Sequence, residues 1–185
     1  LTERIGYNTG VELIVAVGFL VFQILFAIFF LFLCLAFVTG GPFVPSNRKS
    51  VGAMIALARI TKDMTVIDVG SGDGRVLFAA AKAGALAIGV EINPYLVWFT
   101  RIRAAVGPYK GRVRAVWSDL WKYDLSGADV VFVYLIPWRM EELASKLKRE
   151  LKPNATVVTN SFIFPGWKRV REDAAHHVYA YKIEK

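Results

Sequence analysis

The chain has 185 residues, 55% of them hydrophobic, with a net charge of +8 and a mean hydropathy of +0.43. High hydropathy and high charge conflict in a single soluble domain, and the length leaves room for one ordinary domain with an appendage. One cysteine, Cys34, excludes a disulfide framework within the chain and fits a reducing compartment.

The conflict disappears when the chain is divided near residue 40. From Leu13 to Val38 there are 26 residues without a charge, and Gln23 is the strongly polar one among them. As a helix they extend about 39 Å, enough to cross a hydrocarbon core of roughly 30 Å with some tilt. A signal peptide has a basic leader and a run of about 7–15 apolar residues. Here the run is longer, and Glu3, Arg4 and Glu12 before it sum to −1. A core helix would show a polar face, which this segment lacks. The expectation is an N-terminal segment, 1–39, carrying one transmembrane helix over about 13–38, followed by a domain over 40–185. One cation precedes the span, and Arg48, Lys49 and a basic domain follow it. That asymmetry places the domain on the cytoplasmic side, or on the matrix side in a mitochondrion.

Thr39-Gly-Gly-Pro-Phe-Val-Pro-Ser46 is a cluster of chain breakers. Ser46 is the expected N-cap of a helix running to about Ile60. From there strands and helices alternate. MTVIDVG reads as a strand, and GRVLFAAAKAGA as a helix with Val76, Ala79, Ala80 and Ala83 on one face. ALAIGVEI is a second strand. NPYLVWFTRIRAAV is a helix capped by Asn93, with Pro94 at its first position. RVRAVWSD and ADVVFVYLI read as strands, WRMEELASKLKREL as an amphipathic helix, and ATVVTNSFIF as a fifth strand. Continuous apolar strands between helices predict a parallel sheet covered on both faces, an α/β Rossmann-like architecture. HHVYAYKIE alternates and is expected as an antiparallel edge strand, beside a short strand near Lys168–Arg171.

The decisive stretch is VIDVGSGDGR, Val66 to Arg75. A glycine loop after the first strand of such a sheet approaches a ligand at a helix N-terminus. The dinucleotide fingerprint G-x-G-x-x-G fails here, because Arg75 stands at the third glycine's position and Gly74 comes one residue early. No Lys-Ser or Lys-Thr follows, which excludes the phosphate loop of nucleotide triphosphatases. Asp68 at the end of the strand would repel a pyrophosphate and welcome an amino group. Glu91 ends the second strand, where an acid can accept a ribose diol, and Asp119 follows the third. A ligand with an ammonium, a diol and an adenine amine suits the three acids together; S-adenosylmethionine is such a ligand.

The loop, with GVEINP and SDL, resembles the class I S-adenosylmethionine-dependent methyltransferases, which implies a seven-stranded sheet. A wider set is more particular: the apolar span, GGPFVPS, DVGSGDGR, AAAK-x-GA, GVEINPYLV, DLWKYDL and FPGW. Over roughly residues 40–170 it resembles the membrane-anchored protein-lysine methyltransferases that modify the ATP synthase c-ring protein and the adenine nucleotide translocase, which have prokaryotic relatives. The resemblance implies S-adenosyl-L-methionine as cofactor. It places Asp68, Gly70, Ser71 and Gly72 around the methionine part, Glu91 at the ribose and Asp119 at the adenine amine, with Ile92 and Leu120 on either side of the ring. Phe43 either covers the cofactor or packs against the sheet edge.

Acceptors bind this fold at the end of the fourth strand, here Tyr134-Leu-Ile-Pro137-Trp138. The [DN]-P-P-[YFW] pattern of adenine and amide N-methyltransferases is absent, which argues against those acceptors. Tyr134, Pro137, Trp138 and Asn160 are the candidate acceptor-site residues, with Phe162, Phe164, Pro165 and Trp167 near them. A desolvated aromatic channel lowers an amine's pKa and stabilises a cationic product. His176-His177 have no third ligand at suitable spacing, so no metal is expected. Residues 101–114 hold five cations and no acid. On a tethered domain this favours the bilayer surface over nucleic acid as a partner. The reading is a membrane-anchored N-methyltransferase acting on lysine of a membrane protein. A lipid or small hydrophobic amine as acceptor, or a non-catalytic tethered scaffold, stays open, and the oligomeric state is not legible.

Overall fold

The computed structural model describes residues 9–39 and 44–184. Helix α1 spans Thr9–Thr39 and α2 spans Arg48–Ala58. Then come β1 (Thr65–Val69), α3 (Arg75–Lys82), β2 (Leu86–Glu91), α4 (Pro94–Val106), β3 (Val113–Trp117) and β4 (Val130–Val133). The chain continues through α5 (Met140–Glu150), β5 (Thr156–Asn160), β6 (Arg169–Asp173) and β7 (Val178–Lys182). One sheet holds all seven strands in the order β3-β2-β1-β4-β5-β7-β6. The pairs from β3 to β5 are parallel, and β7 runs antiparallel to both β5 and β6.

Strand alternation sorts the core into two layers. Ile67, Val69, Val131, Val133 and Val157 pack with Met140, Leu143 and Leu147 of α5. Val66, Phe132, Val158 and Ala180 pack on the other face with Met54 of α2 and Leu77 and Ala80 of α3. Period-two side chains on each parallel strand therefore feed both layers, so the strands read as unbroken apolar runs. The chain leaves β3 and returns beside β1 as β4, and this reversal opens a crevice at the carboxyl ends of β1, β2 and β4.

Several elements differ from expectation. Asn47, not Ser46, caps α2, accepting from the Ser50 amide at 2.8 Å. That helix stops at Ala58 because Arg59 turns left-handed (φ 51°). The buried face of α3 is Val76, Leu77, Ala80 and Ala81, while Ala83 is exposed. The predicted edge strand is interior: β7 lies between β5 and β6, and charged β6 forms the edge. His176 and His177 precede β7, His176 in a 3-10 turn with its ring 2.9 Å from Asp173 Oδ2. The strand ending in Tyr134-Leu-Ile stops at Val133, and a 3-10 turn, Pro137–Arg139, leads into α5. Pro137 lacks the amide that a longer ladder would need.

Helix α1 has exposed side chains from Gly10 to Leu31, and the apolar part from Gly10 to Cys34 is long enough to cross a bilayer. Phe32 and Leu33 near its end are half-buried.

Gly89 of β2 pairs with Asp68 of β1 in register. A Cβ there would collide with the Ser71 hydroxyl and come within 2.5 Å of Leu77 Cδ1. Gly89→Ala should therefore destabilise the fold by about 1–3 kcal/mol, read as a lower thermal midpoint in detergent. An unchanged midpoint would show that the Ser71 loop yields without cost.

Candidate active site

The glycine loop turns between β1 and α3. Gly74 caps α3 with φ +78°, and a Cβ would lie 2.7 Å from Thr100 Cγ2 of α4. The early third glycine thus lets α4 pack against the loop, and Thr100 Oγ1 donates to the Gly72 carbonyl at 3.4 Å. Arg75, at the position where a dinucleotide loop has glycine, has a separate task. Its guanidinium binds both oxygens of Asp73, through Nε at 2.9 Å and Nη2 at 2.7 Å. Its Nη1 donates to the Ser46 carbonyl at 2.6 Å. The Ser46 hydroxyl accepts from Asn160 Nδ2 at 3.1 Å. The segment that enters the domain is therefore fastened at one residue to both the glycine loop and β5.

Glu91 ties the first two strand ends together. One oxygen accepts from the Gly72 amide at 2.9 Å, the other from the Asn93 amide at 2.8 Å. Each oxygen keeps a second lone pair for a further donor. Burial raises the Glu91 pKa, opposed by backbone amides of Asn93, Gly72 and Ile92. Asn93 in turn caps α4, accepting from the Tyr95 amide. Asp119 accepts from the Trp121 amide through Oδ1 at 3.0 Å.

Asp68 differs from these acids. It is 6% exposed, and among the described residues no group donates a hydrogen bond to its carboxylate. Burial, then the charges of Glu91 and Asp73, push its pKa up to about 7. By contrast, the Arg75 guanidinium holds the Asp73 carboxyl below its ordinary value against partial burial. Ser71 Oγ is also buried and without a partner among the described residues.

A cavity of about 250 Å³ lies at these strand ends. Asp68, Gly70, Ser71, Gly72, Glu91, Ile92, Asp119, Leu120 and Tyr134 all line it. Three sequence candidates do not: Pro137 and Trp138 sit on exposed surface, and Asn160 is engaged with Ser46 and Ser161. Phe43 lies outside the described residues. Phe162 joins the lining and stacks on Tyr134 with ring centroids 6.4 Å apart. Phe164 and Trp167 instead pack around buried Tyr181. The lining also includes residues that motif reading missed: Val44, Pro45 and Ser46 of the entering segment, and Phe32 and Leu33 of α1. The proline-bounded segment was the only signal that could have pointed to them.

A loop of this geometry, with an acid at each of three strand ends, matches a known family profile. The profile described as ANTKMT methyltransferase domain covers residues 68–171. The chain belongs to this methyltransferase family. It is 39% identical over 142 residues to the human lysine N-methyltransferase of the ATP synthase c-ring protein, covering 76% of this chain and 60% of that protein. A protein-lysine N-methyltransferase from Saccharolobus islandicus is 35% identical over 162 residues, covering 80% and 98%. The crystal structure of an RNA methyltransferase from Salinibacter ruber with S-adenosyl-L-homocysteine is 33% identical with a TM-score of 0.73, covering 77% and 95%. The chain spans between half and three-fifths of the length of its vertebrate relatives named for ATP synthase.

Asp68 has a consequence for stability. Its folded pKa lies above its ordinary value of 3.8. Its favourable contribution is therefore complete below pH 3.8 and lost as pH rises to about 7, at about 1.4 kcal/mol for each pH unit crossed. In the ligand-free protein, Asp68→Asn should melt higher than wild type at pH 8, and the gap should shrink by pH 5. A gap independent of pH would mean that Asp68 does not carry this proton.

Proposed function

We propose that the chain is a membrane-anchored S-adenosylmethionine-dependent N-methyltransferase that methylates lysine on a membrane protein. The observation that carries this reading is the unpaired carboxylate of Asp68 in a cavity whose other acids already have backbone partners. It suits the ammonium of the cofactor's methionine part, and ionic pairing there would remove the burden of an isolated buried charge. Ser71 Oγ, also unpartnered among the described residues, can bond the same polar end. Glu91 has lone pairs left for the ribose hydroxyls, and Asp119 Oδ2 is available to the adenine amine. Ile92 and Leu120 line the cavity where the ring would lie. The cofactor supplies a methyl group on a positive sulfonium, ready for in-line displacement by an amine.

The chain's own contribution is placement and desolvation. Tyr134 and Phe162 form an aromatic wall on the cavity, beside the end of β4. A lysine amine entering along that wall loses water, which lowers its pKa from about 10.4 and frees its lone pair. The same ring faces attract the methylated ammonium that results. Asn160 acts at a remove: with Arg75 it holds Ser46, and so holds the segment that closes one side of the cavity.

Lysine as acceptor is supported by the relatives named for lysine N-methylation. Anchoring is supported by α1, whose apolar surface has no partner over most of its length among the described residues. The basic flank after the span favours the cytoplasmic face, or the matrix face in a mitochondrion. The relatives named for ATP synthase and for the translocase support a substrate embedded in the same bilayer.

The test is transfer of a labelled methyl group from S-adenosylmethionine by the purified full chain to membranes of its source organism. Acid hydrolysis should yield methyllysine from a membrane-protein band. Asp68→Ala and Glu91→Ala should each abolish transfer and weaken cofactor binding at least tenfold by calorimetry, one lost charge-assisted contact being worth about 1.4 kcal/mol or more. Label confined to extracted lipid, or to RNA, would replace lysine with that acceptor. Cofactor binding without any transfer would leave a scaffold.

A further inference from the structure

Helix α4 is apolar on two faces. Val97, Thr100 and Ala104 are buried against the sheet. On the opposite face Tyr95 is 42% exposed, Trp98 64%, Phe99 46%, Ile102 43% and Val106 83%. These positions recur at three- and four-residue steps and form a continuous stripe. A helix on a water-exposed surface normally turns charge outward there. Trp117 at the end of β3 is also exposed, and its indole donates to the Ile92 carbonyl just before α4, at 2.9 Å.

Cations frame the stripe. Arg101 is exposed, with Nε on the Ala115 carbonyl, and Lys110 and Arg114 are exposed as well. Arg103 lies over the rings of Phe78 and Phe99 at 4.4 and 5.4 Å and donates to the Asp73 carbonyl. No acid occurs between residues 101 and 114. Aromatic and aliphatic side chains flanked by arginine and lysine are what a helix lying in a membrane interface presents, and tryptophan and tyrosine concentrate at that depth.

The position of the stripe selects the occupant. The cavity is lined on one side by Phe32 and Leu33, near the end of α1, and on another by Ile92, Asn93 and Leu96 at the start of α4. The end of the apolar helix and the start of the exposed stripe therefore meet at one cavity. An interface plane that holds the end of α1 also reaches α4.

We propose that the outer face of α4 docks in the membrane interface, with Tyr95, Trp98, Phe99, Ile102 and Val106 among the upper acyl chains and Arg101, Lys110 and Arg114 on anionic headgroups. The docked helix and the end of α1 together seat the cavity at headgroup level. This inference rests on the anchoring reading above and adds a second, peripheral contact to it.

The experiment uses the full chain with Cys34→Ala as background and single cysteines labelled with an environment-sensitive fluorophore. Leu20→Cys reports the middle of α1, Trp98→Cys and Ile102→Cys the stripe, and Glu141→Cys the exposed side of α5 on the other face of the sheet. The proteins are placed in vesicles of phosphatidylcholine and phosphatidylglycerol, with a nitroxide quencher on a shallow acyl carbon. The label at 20 should emit as in hydrocarbon. Labels at 98 and 102 should shift to the blue and lose most of their emission to the shallow quencher, and more weakly when phosphatidylglycerol is omitted. The label at 141 should emit as in water. If 20 lies in hydrocarbon while 98 and 102 stay in water, docking is wrong and anchoring stands. If 20 is in water, anchoring fails and docking with it. Blue shifts at 98 and 102 that ignore the lipid quencher and vanish on dilution would assign the stripe to contact between copies, overturning the inference.

Discussion

Two carboxylates stand at the carboxyl ends of adjacent parallel strands, and among the described residues no cation lies between them. Asp68 and Glu91 repel each other, and burial worsens the repulsion. The front of the domain is organised around this constraint. Glu91 is stabilised by the amides of Gly72 and Asn93, so the first two loops are fixed to each other through its side chain. Asp73 is neutralised by Arg75. Asp68 is left unsatisfied at the one place where a cationic ligand can reach it. A stable apo protein would have paired or removed that acid; keeping it concedes stability at a functional site.

Arg75 extends the organisation outward. Through Asp73 it braces the glycine loop, and through the Ser46 carbonyl it braces the segment arriving from α1. Asn160 reaches Ser46 from β5. Loop, entry segment and strand therefore move as one unit. A change in the path of the chain between α1 and α2 is felt at the cavity without any contact between the changed residue and a ligand.

Much of the fold was legible because the signals were local and redundant. The turn to α4 had a capping asparagine and a proline at the first helical position. The strands were apolar runs of the right length between them. Ser46 and Asn47 show where local chemistry is ambiguous: both residues can cap, and only the distant partner Asn160 explains why Ser46 does not. The place of β7 between β5 and β6 was not legible either, since alternation marks a strand but not its neighbours. In the site, the acids were readable from their places at strand ends. The engagement of Asn160 and the role of Arg75 depend on contacts across 114 and 29 residues of sequence, which no spacing rule reports.

The outer strand β6 bears on how the molecule tolerates its own company. Four of its five residues are charged: Arg169, Arg171, Glu172 and Asp173. Arg169 pairs with Glu172, Arg171 caps the Leu57 carbonyl, and the ladder shifts register between Arg169 and Arg171. An unpaired edge is an invitation to polymerise, and crowding copies into two dimensions multiplies such meetings. A short, charged, irregular border makes the encounter of two sheets unproductive. Population density on a surface is then limited by area, and the molecules remain separate workers instead of a fibre.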